Sequence, residues 1–333
     1  MSREELLLER VRGWARQGLI REPRIWLDNH GLVPLLPELY GEAEAREWAR
    51  RNVMENLYYL AKAQELIVAF REAGVRVVPL KGIDLLDRVY HGRESHRRTG
   101  DVDLLVDSRR LGPALETMER LGYRFIGEAP KADQIRWYKD IPYEGPRKIR
   151  VEIHQELFLD MGFTLTWEEL RRKGQLEEGR GLAGSDRLSL DALTVHLLVH
   201  MTAHRFGGES LRWVLDILLL LDRFEKDYDA RRIVDVAKQL RGKRAAGAAV
   251  AAIRHTIPGV DLGPLAALST GGARERWALR LIDPVRAALE GPAGWTKRNS
   301  VLCRILLDPG PGATMQFVWR KWHIRRNRGT AAP

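Results

Sequence analysis

Apolar residues recur at helical spacing over the first seventy positions. Leu6, Leu7, Val11 and Trp14 form one such set, and Leu57, Leu60, Ala61, Leu66, Ile67 and Phe70 form another on an amphipathic segment spanning 42–73. Between them Gly31 to Pro37, with one glycine and two prolines, interrupts the period. The pattern then changes to short β-branched runs. Val75 to Leu80 and Asp101 to Val106 read as strands, and Tyr123 to Ile126 as a shorter one. In Lys148 to His154, Ile149, Val151 and Ile153 alternate with Arg150, Glu152 and His154. Segments 83–90 and 111–121 between these runs return to helical spacing. The order strand, helix, strand, helix, strand, strand indicates an α/β or α+β core of modest size. From Ser185 the chain reads as helical again, over 190–221, 229–240, 245–255, 277–289 and 301–307, with a turn at 308–312.

Composition narrows the class. The 333 residues are 44% hydrophobic and 30% charged, an ordinary globular balance. One cysteine, Cys303, excludes an intrachain disulfide and points to a cytoplasmic protein. The start of the chain has no apolar signal core, and no stretch is long and uncharged enough to span a bilayer. A formal net charge of +10 and a pI near 9.8 favour polyanionic partners: nucleoside triphosphates, nucleic acid, acidic peptides or anionic lipid.

The candidate chemistry is acidic. Asp101 and Asp103 sit at i and i+2 where a strand begins, so both carboxylates point to one side while Val102, Leu104 and Val106 point to the other. Paired hard oxygen ligands suit Mg²⁺. Glu152 projects from an alternating strand and would complete a three-carboxylate cluster if that strand lies beside the first. Lys81-Gly82 joins a strand directly to a helix, which sets backbone N–H groups and a helix N-terminus against a phosphate. Gly82 would permit close approach, and Lys81 would add a positive charge. Arg97 and Arg98 stand just ahead of the aspartate strand as further phosphate candidates. His196, His200 and His204 repeat every four residues, but Leu197 stands where a zinc protease motif has its glutamate. Trp319 to Arg326 mixes aromatic and basic residues, which suits a terminal amphipathic helix, a nucleic-acid backbone, an acidic partner or a membrane surface.

Together, Val77 to Gly82, Arg98 to Val106 and Val151 to His154 resemble an uncharacterised bacterial nucleotidyltransferase family of the DNA polymerase β-like superfamily. The likeness extends to Trp26 through Leu36 and to Leu193 through Asp216, a coverage of roughly 20–225. It implies an α+β fold, with a small mixed-sheet core at 71–184 between an N-terminal helical region, 1–70, and a C-terminal helical domain with a basic tail, 185–333. It also implies that Asp101, Asp103 and Glu152 are the catalytic and metal-binding acids, holding Mg²⁺ or alternatively Mn²⁺. Lys81, Gly82, Arg97, Arg98 and His154 would contact the nucleotide, and His200 and His204 would reach the cleft. The expected substrate is a nucleoside triphosphate, ATP foremost. The expected acceptor is a small molecule or peptide in a biosynthetic pathway, with RNA or tRNA as an alternative. A nucleotide-binding regulator without turnover is a further reading, against which the three acids speak. Many members of the wider superfamily carry Gly-Ser on the phosphate turn, where this chain has Lys81-Gly82.

Overall fold

The computed structural model describes residues 1–138, 140–158, 165–204, 206 and 210–290. Helices α1 (Arg3–Arg16), α2 (Pro23–His30), α3 (Pro37–Tyr40) and α4 (Glu42–Glu72) lead to strand β1 (Val77–Pro79), helix α5 (Lys81–Arg88) and strand β2 (Val102–Val106). Next come α6 (Leu111–Arg120), β3 (Arg124–Phe125), α7 (Lys131–Trp137), β4 (Asp140–Glu144) and β5 (Arg150–His154). Two small hairpins follow, β6 (Glu156–Leu157) with β7 (Leu165–Thr166) and, after α8 (Trp167–Arg172), β8 (Leu176–Glu177) with β9 (Arg187–Leu188). Helices α9 (Leu190–Ala203), α10 (Ser210–Phe224), α11 (Ala230–Gln239), α12 (Lys243–Thr256), α13 (Ala273–Ile282) and α14 (Pro284–Glu290) complete the described chain. The fold is α+β. Cys303, the helix at 301–307, the turn at 308–312 and the basic aromatic tail lie outside the described residues.

The residues gather into two compact units. One holds Glu55–Arg88 and Thr99–Ser189; the other holds Met1–Met54, Val89–Arg98 and the described residues from Leu190 onward.

The first unit is built on a five-stranded sheet of order β1-β2-β5-β4-β3. The β2–β5 pair is parallel, and the other neighbours are antiparallel. Alternation explains its core. Val102, Leu104 and Val106 of β2 join Val151 and Ile153 of β5 in one buried apolar cluster. Leu66, Ile67 and Phe70 from α4 and Ala114, Leu115 and Met118 from α6 belong to the same cluster.

Strand β4 escapes the sequence reading because Pro142 interrupts its pattern, and proline lacks the N–H a ladder uses. The structure accommodates it opposite Glu152, and its carbonyl still accepts from Ile126 N–H at 3.0 Å. Helix α5 is fixed by Arg88, which donates to Asp84 Oδ1 at 2.8 Å and to the Leu188 carbonyl at 2.6 Å.

In the second unit α9 is apolar nearly all round, with Leu193, Val195, Leu197, Leu198 and Val199 buried, as a central helix must be. It packs against α10, α11 and α12. Helix α1 opens on a reciprocal cap, in which Ser2 Oγ accepts from Glu5 N–H and the Glu5 carboxylate accepts from Ser2 N–H.

Candidate functional site

The parallel register of β2 and β5 sets Asp103 opposite Glu152 and Leu105 opposite His154. Side chains of one strand alternate in direction, so Asp103, Glu152 and His154 leave the sheet on the face turned away from the apolar cluster. One ligand atom from each lies within 4.8 Å of the others, and all three residues are buried. His154 Nε2 lies 2.7 Å from Asp103 Oδ1, within hydrogen-bond distance, and the same nitrogen is 3.8 Å from Glu152 Oε2. Arg150, two residues earlier on the same face of β5, places Nη2 2.9 Å from Glu152 Oε1.

The turn after β1 supplies a second cation. Lys81 Nζ donates to Asp103 Oδ1 at 2.9 Å. The turn is tied to β2 by Leu80 N–H, which donates to the Asp103 carbonyl at 3.0 Å. Lys81 itself has φ 47°, in the left-handed region. A side chain there costs about 1–2 kcal/mol, and such strain concentrates at working sites. The sequence reading expected Gly82 to let a phosphate approach closely. The structure places Gly82, buried, within the first turn of α5 and puts the left-handed backbone on the lysine before it.

The two carboxyls are driven apart in acidity. Burial lifts Glu152 to about 7, and the negative charges of Asp103 and Asp140 add to the rise against His154 and Lys81. Burial would lift Asp103 too, but Lys81 and His154 outweigh it and hold the group well below the ordinary carboxylate range. Carboxyls this close share their protons as a pair. An ionised acid beside one that titrates near neutrality can hold a cation and also accept a proton. Two carboxylates and an imidazole at these separations fit a divalent cation.

The remaining expected residues fall in different places. Asp101 is half-buried, two residues before Asp103, and is not one of the three clustered ligand groups. Arg97 is buried in the second unit, where its Nε and Nη2 donate to Asp216 at 3.1 and 3.2 Å. Tyr90 donates its hydroxyl to the same carboxylate at 2.8 Å. Arg98 is exposed, and its carbonyl accepts from Arg212 Nη1 at 3.0 Å. The rings of His200 and His204 are 4.4 Å apart between centres and tilted by 52°, and each lies against Trp213, at 5.2 and 5.3 Å.

Sequence reasoning missed Asp140, which stands opposite His154 on β4. The alternation of Asp140, Pro142 and Glu144 with Ile141 and Tyr143 was the available signal, masked by the proline. It also assigned His154 to the nucleotide alone and gave no part to Arg150.

No curated protein matches the chain, and no solved structure does. A family model described as an uncharacterised nucleotidyltransferase matches residues 27–258. That span takes in β1 through β5 with the acidic cluster, and it exceeds half of the 333 residues. The chain belongs to this nucleotidyltransferase family.

Proposed function

We propose that this nucleotidyltransferase moves a nucleoside monophosphate from a nucleoside triphosphate, ATP foremost, to a hydroxyl of a small molecule or peptide in a biosynthetic pathway, on a core of the DNA polymerase β-like kind. The observation that carries the reading is the β2–β5 register, which sets Asp103 and Glu152 side by side and buried, next to a turn that presents Lys81. Asp101, Asp103 and Glu152 are the acids that would hold Mg²⁺ or Mn²⁺. When bound, such an ion neutralises polyphosphate charge and lowers the pKa of a nearby hydroxyl.

The chain's own groups account for the rest. The acceptor oxygen bonds to the α-phosphorus as the bond from that phosphorus to the bridging oxygen breaks, and pyrophosphate leaves with the electron pair. Glu152, the acid on β5 beside Asp103, is the group that would receive the acceptor's proton. Lys81, a point charge on a flexible stem, would exchange Asp103 for the departing phosphates. The polyphosphate role falls to Lys81 rather than to Arg97, whose guanidinium is occupied by Asp216.

Incubating the protein with each triphosphate, a divalent cation and a small-molecule extract tests this. Mass spectrometry should find an acceptor heavier by one nucleoside monophosphate, with pyrophosphate released. Asp101→Asn and Asp103→Asn should each lower the yield by at least ~100-fold, with circular dichroism unchanged. Undiminished transfer by either variant refutes the assignment. Transfer only to added RNA would move the acceptor to nucleic acid.

A further inference from the structure

We infer that His154 is a ligand of the divalent cation, so that the centre is a mixed carboxylate–imidazole site that takes Mn²⁺ in preference to Mg²⁺. The inference rests on the reading that these acids hold a divalent cation, and it adds a nitrogen donor that the reading does not require.

Spacing is the first support. Donor atoms on one octahedral ion, at bond lengths of about 2.1–2.2 Å, stand about 3 Å apart when adjacent and about 4.3 Å apart when opposite. His154 Nε2 stands 2.7 Å from Asp103 Oδ1 and 3.8 Å from Glu152 Oε2. The first is near an adjacent-donor separation, and both fall inside the span of a single coordination shell.

Placement is the second. His154 lies on β5, which is laddered on one side to β2 and on the other to β4, and the residue is 3% exposed. A buried imidazole on a doubly paired strand is held where it is. Nε2 is the ring nitrogen that faces both carboxylates.

Donor chemistry is the third. Mg²⁺ demands oxygen and near-ideal octahedral geometry, and it parts reluctantly with its waters. Imidazole suits transition ions, and Mn²⁺ accepts carboxylate oxygen as well. A carboxylate set joined by one imidazole therefore matches Mn²⁺ better than Mg²⁺.

Pulsed electron paramagnetic resonance of the full chain loaded with Mn²⁺ alone provides the test, since it needs neither nucleotide nor acceptor. Bound Mn²⁺ should show coupling to one ¹⁴N nucleus. Protein grown on ¹⁵N-histidine should show the ¹⁵N pattern instead. His154→Gln should lose the coupling and bind Mn²⁺ about tenfold or more weakly, with its Mg²⁺ affinity changed less. If the variant fails to fold, the isotope exchange in the wild-type chain decides alone. Stoichiometric Mn²⁺ without nitrogen coupling would overturn the inference and leave an oxygen-only centre, with the nucleotidyl-transfer reading intact. Coupling that persists in a folded His154→Gln protein would overturn it as well. Failure of the wild-type chain to bind Mn²⁺ or Mg²⁺ would sink both readings together.

Discussion

Arg97 and Asp216 form a buried ion pair at 3.1 Å. Arg97 and Arg98 are adjacent and basic, just ahead of the aspartate strand, and the sequence offers no means to tell their roles apart. Burial does. Arg97 is 4% exposed and grips Asp216, whose side chain is 1% exposed. Removing one partner of a buried pair leaves an uncompensated charge, so Arg97→Met should lower stability by about 3–5 kcal/mol, read as a shift in the urea midpoint. Arg97→Lys should restore only part, because a lysine cannot reproduce the two-pronged contact. A weaker nucleotide affinity at unchanged stability would instead mark Arg97 as a phosphate-binding group.

His30 makes a pH-dependent prediction of the same kind. Burial depresses its pKa to about 4; the bond from Nε2 to the Ala288 carbonyl at 2.9 Å opposes this, and the Arg212 charge adds to it. The unfolded chain takes up this proton near 6.5 and the folded chain only near 4, so the stabilisation is full above about 6.5 and is lost as pH falls through that window. The loss should reach about 3 kcal/mol at its acid end, and His30→Gln should flatten that part of a stability–pH curve. The acids at Asp103 and Glu152 were legible because alternation is a local rule. The partners of Arg97 and His30 were not, because Asp216 and Ala288 lie more than a hundred residues away.

Elements were legible in proportion to the regularity of their pattern. Strands β2 and β5 alternate cleanly and stand where the sequence placed them. Strand β4 hid behind Pro142, and the two hairpins with α8 are too short to leave a period. The long helical reading over 190–221 resolves into α9 and α10. Helix α5 carries a prediction that its sequence does not suggest. Its buried Asp84, lifted to about 6 by burial and held down by Arg88, depends on a residue one turn later. Arg88→Met would leave that acid and the Leu188 carbonyl without their arginine donor. It should cost about 3 kcal/mol, visible as a lower melting temperature.

Over the whole molecule, each compact unit is assembled from separate stretches of the chain. Val89–Arg98 groups with Met1–Met54 and with the residues from Leu190, and Glu55–Arg88 groups with Thr99–Ser189. Such grouping is set by contacts between distant segments, which no local periodicity records. Charge is the global property that composition does give. With a net charge of +10, the chain should capture a polyanionic triphosphate faster at low ionic strength. Raising salt to ~0.5 M should lower kcat/KM for the triphosphate by about tenfold while kcat holds. A salt-independent kcat/KM would show that steering by the overall field plays no part.

The pairing of β2 with β5 has a consequence for how this family can vary. The step that slides Glu152 away from Asp103 also turns Val151 and Ile153 out of the hydrophobic interior. Selection for a well-folded chain therefore preserves the chemistry unasked. Loss or gain of one residue inside 150–154 ruins both at once, while the same change in the connections on either side is free to accumulate. Length differences between relatives should crowd into those connections and avoid the two strands.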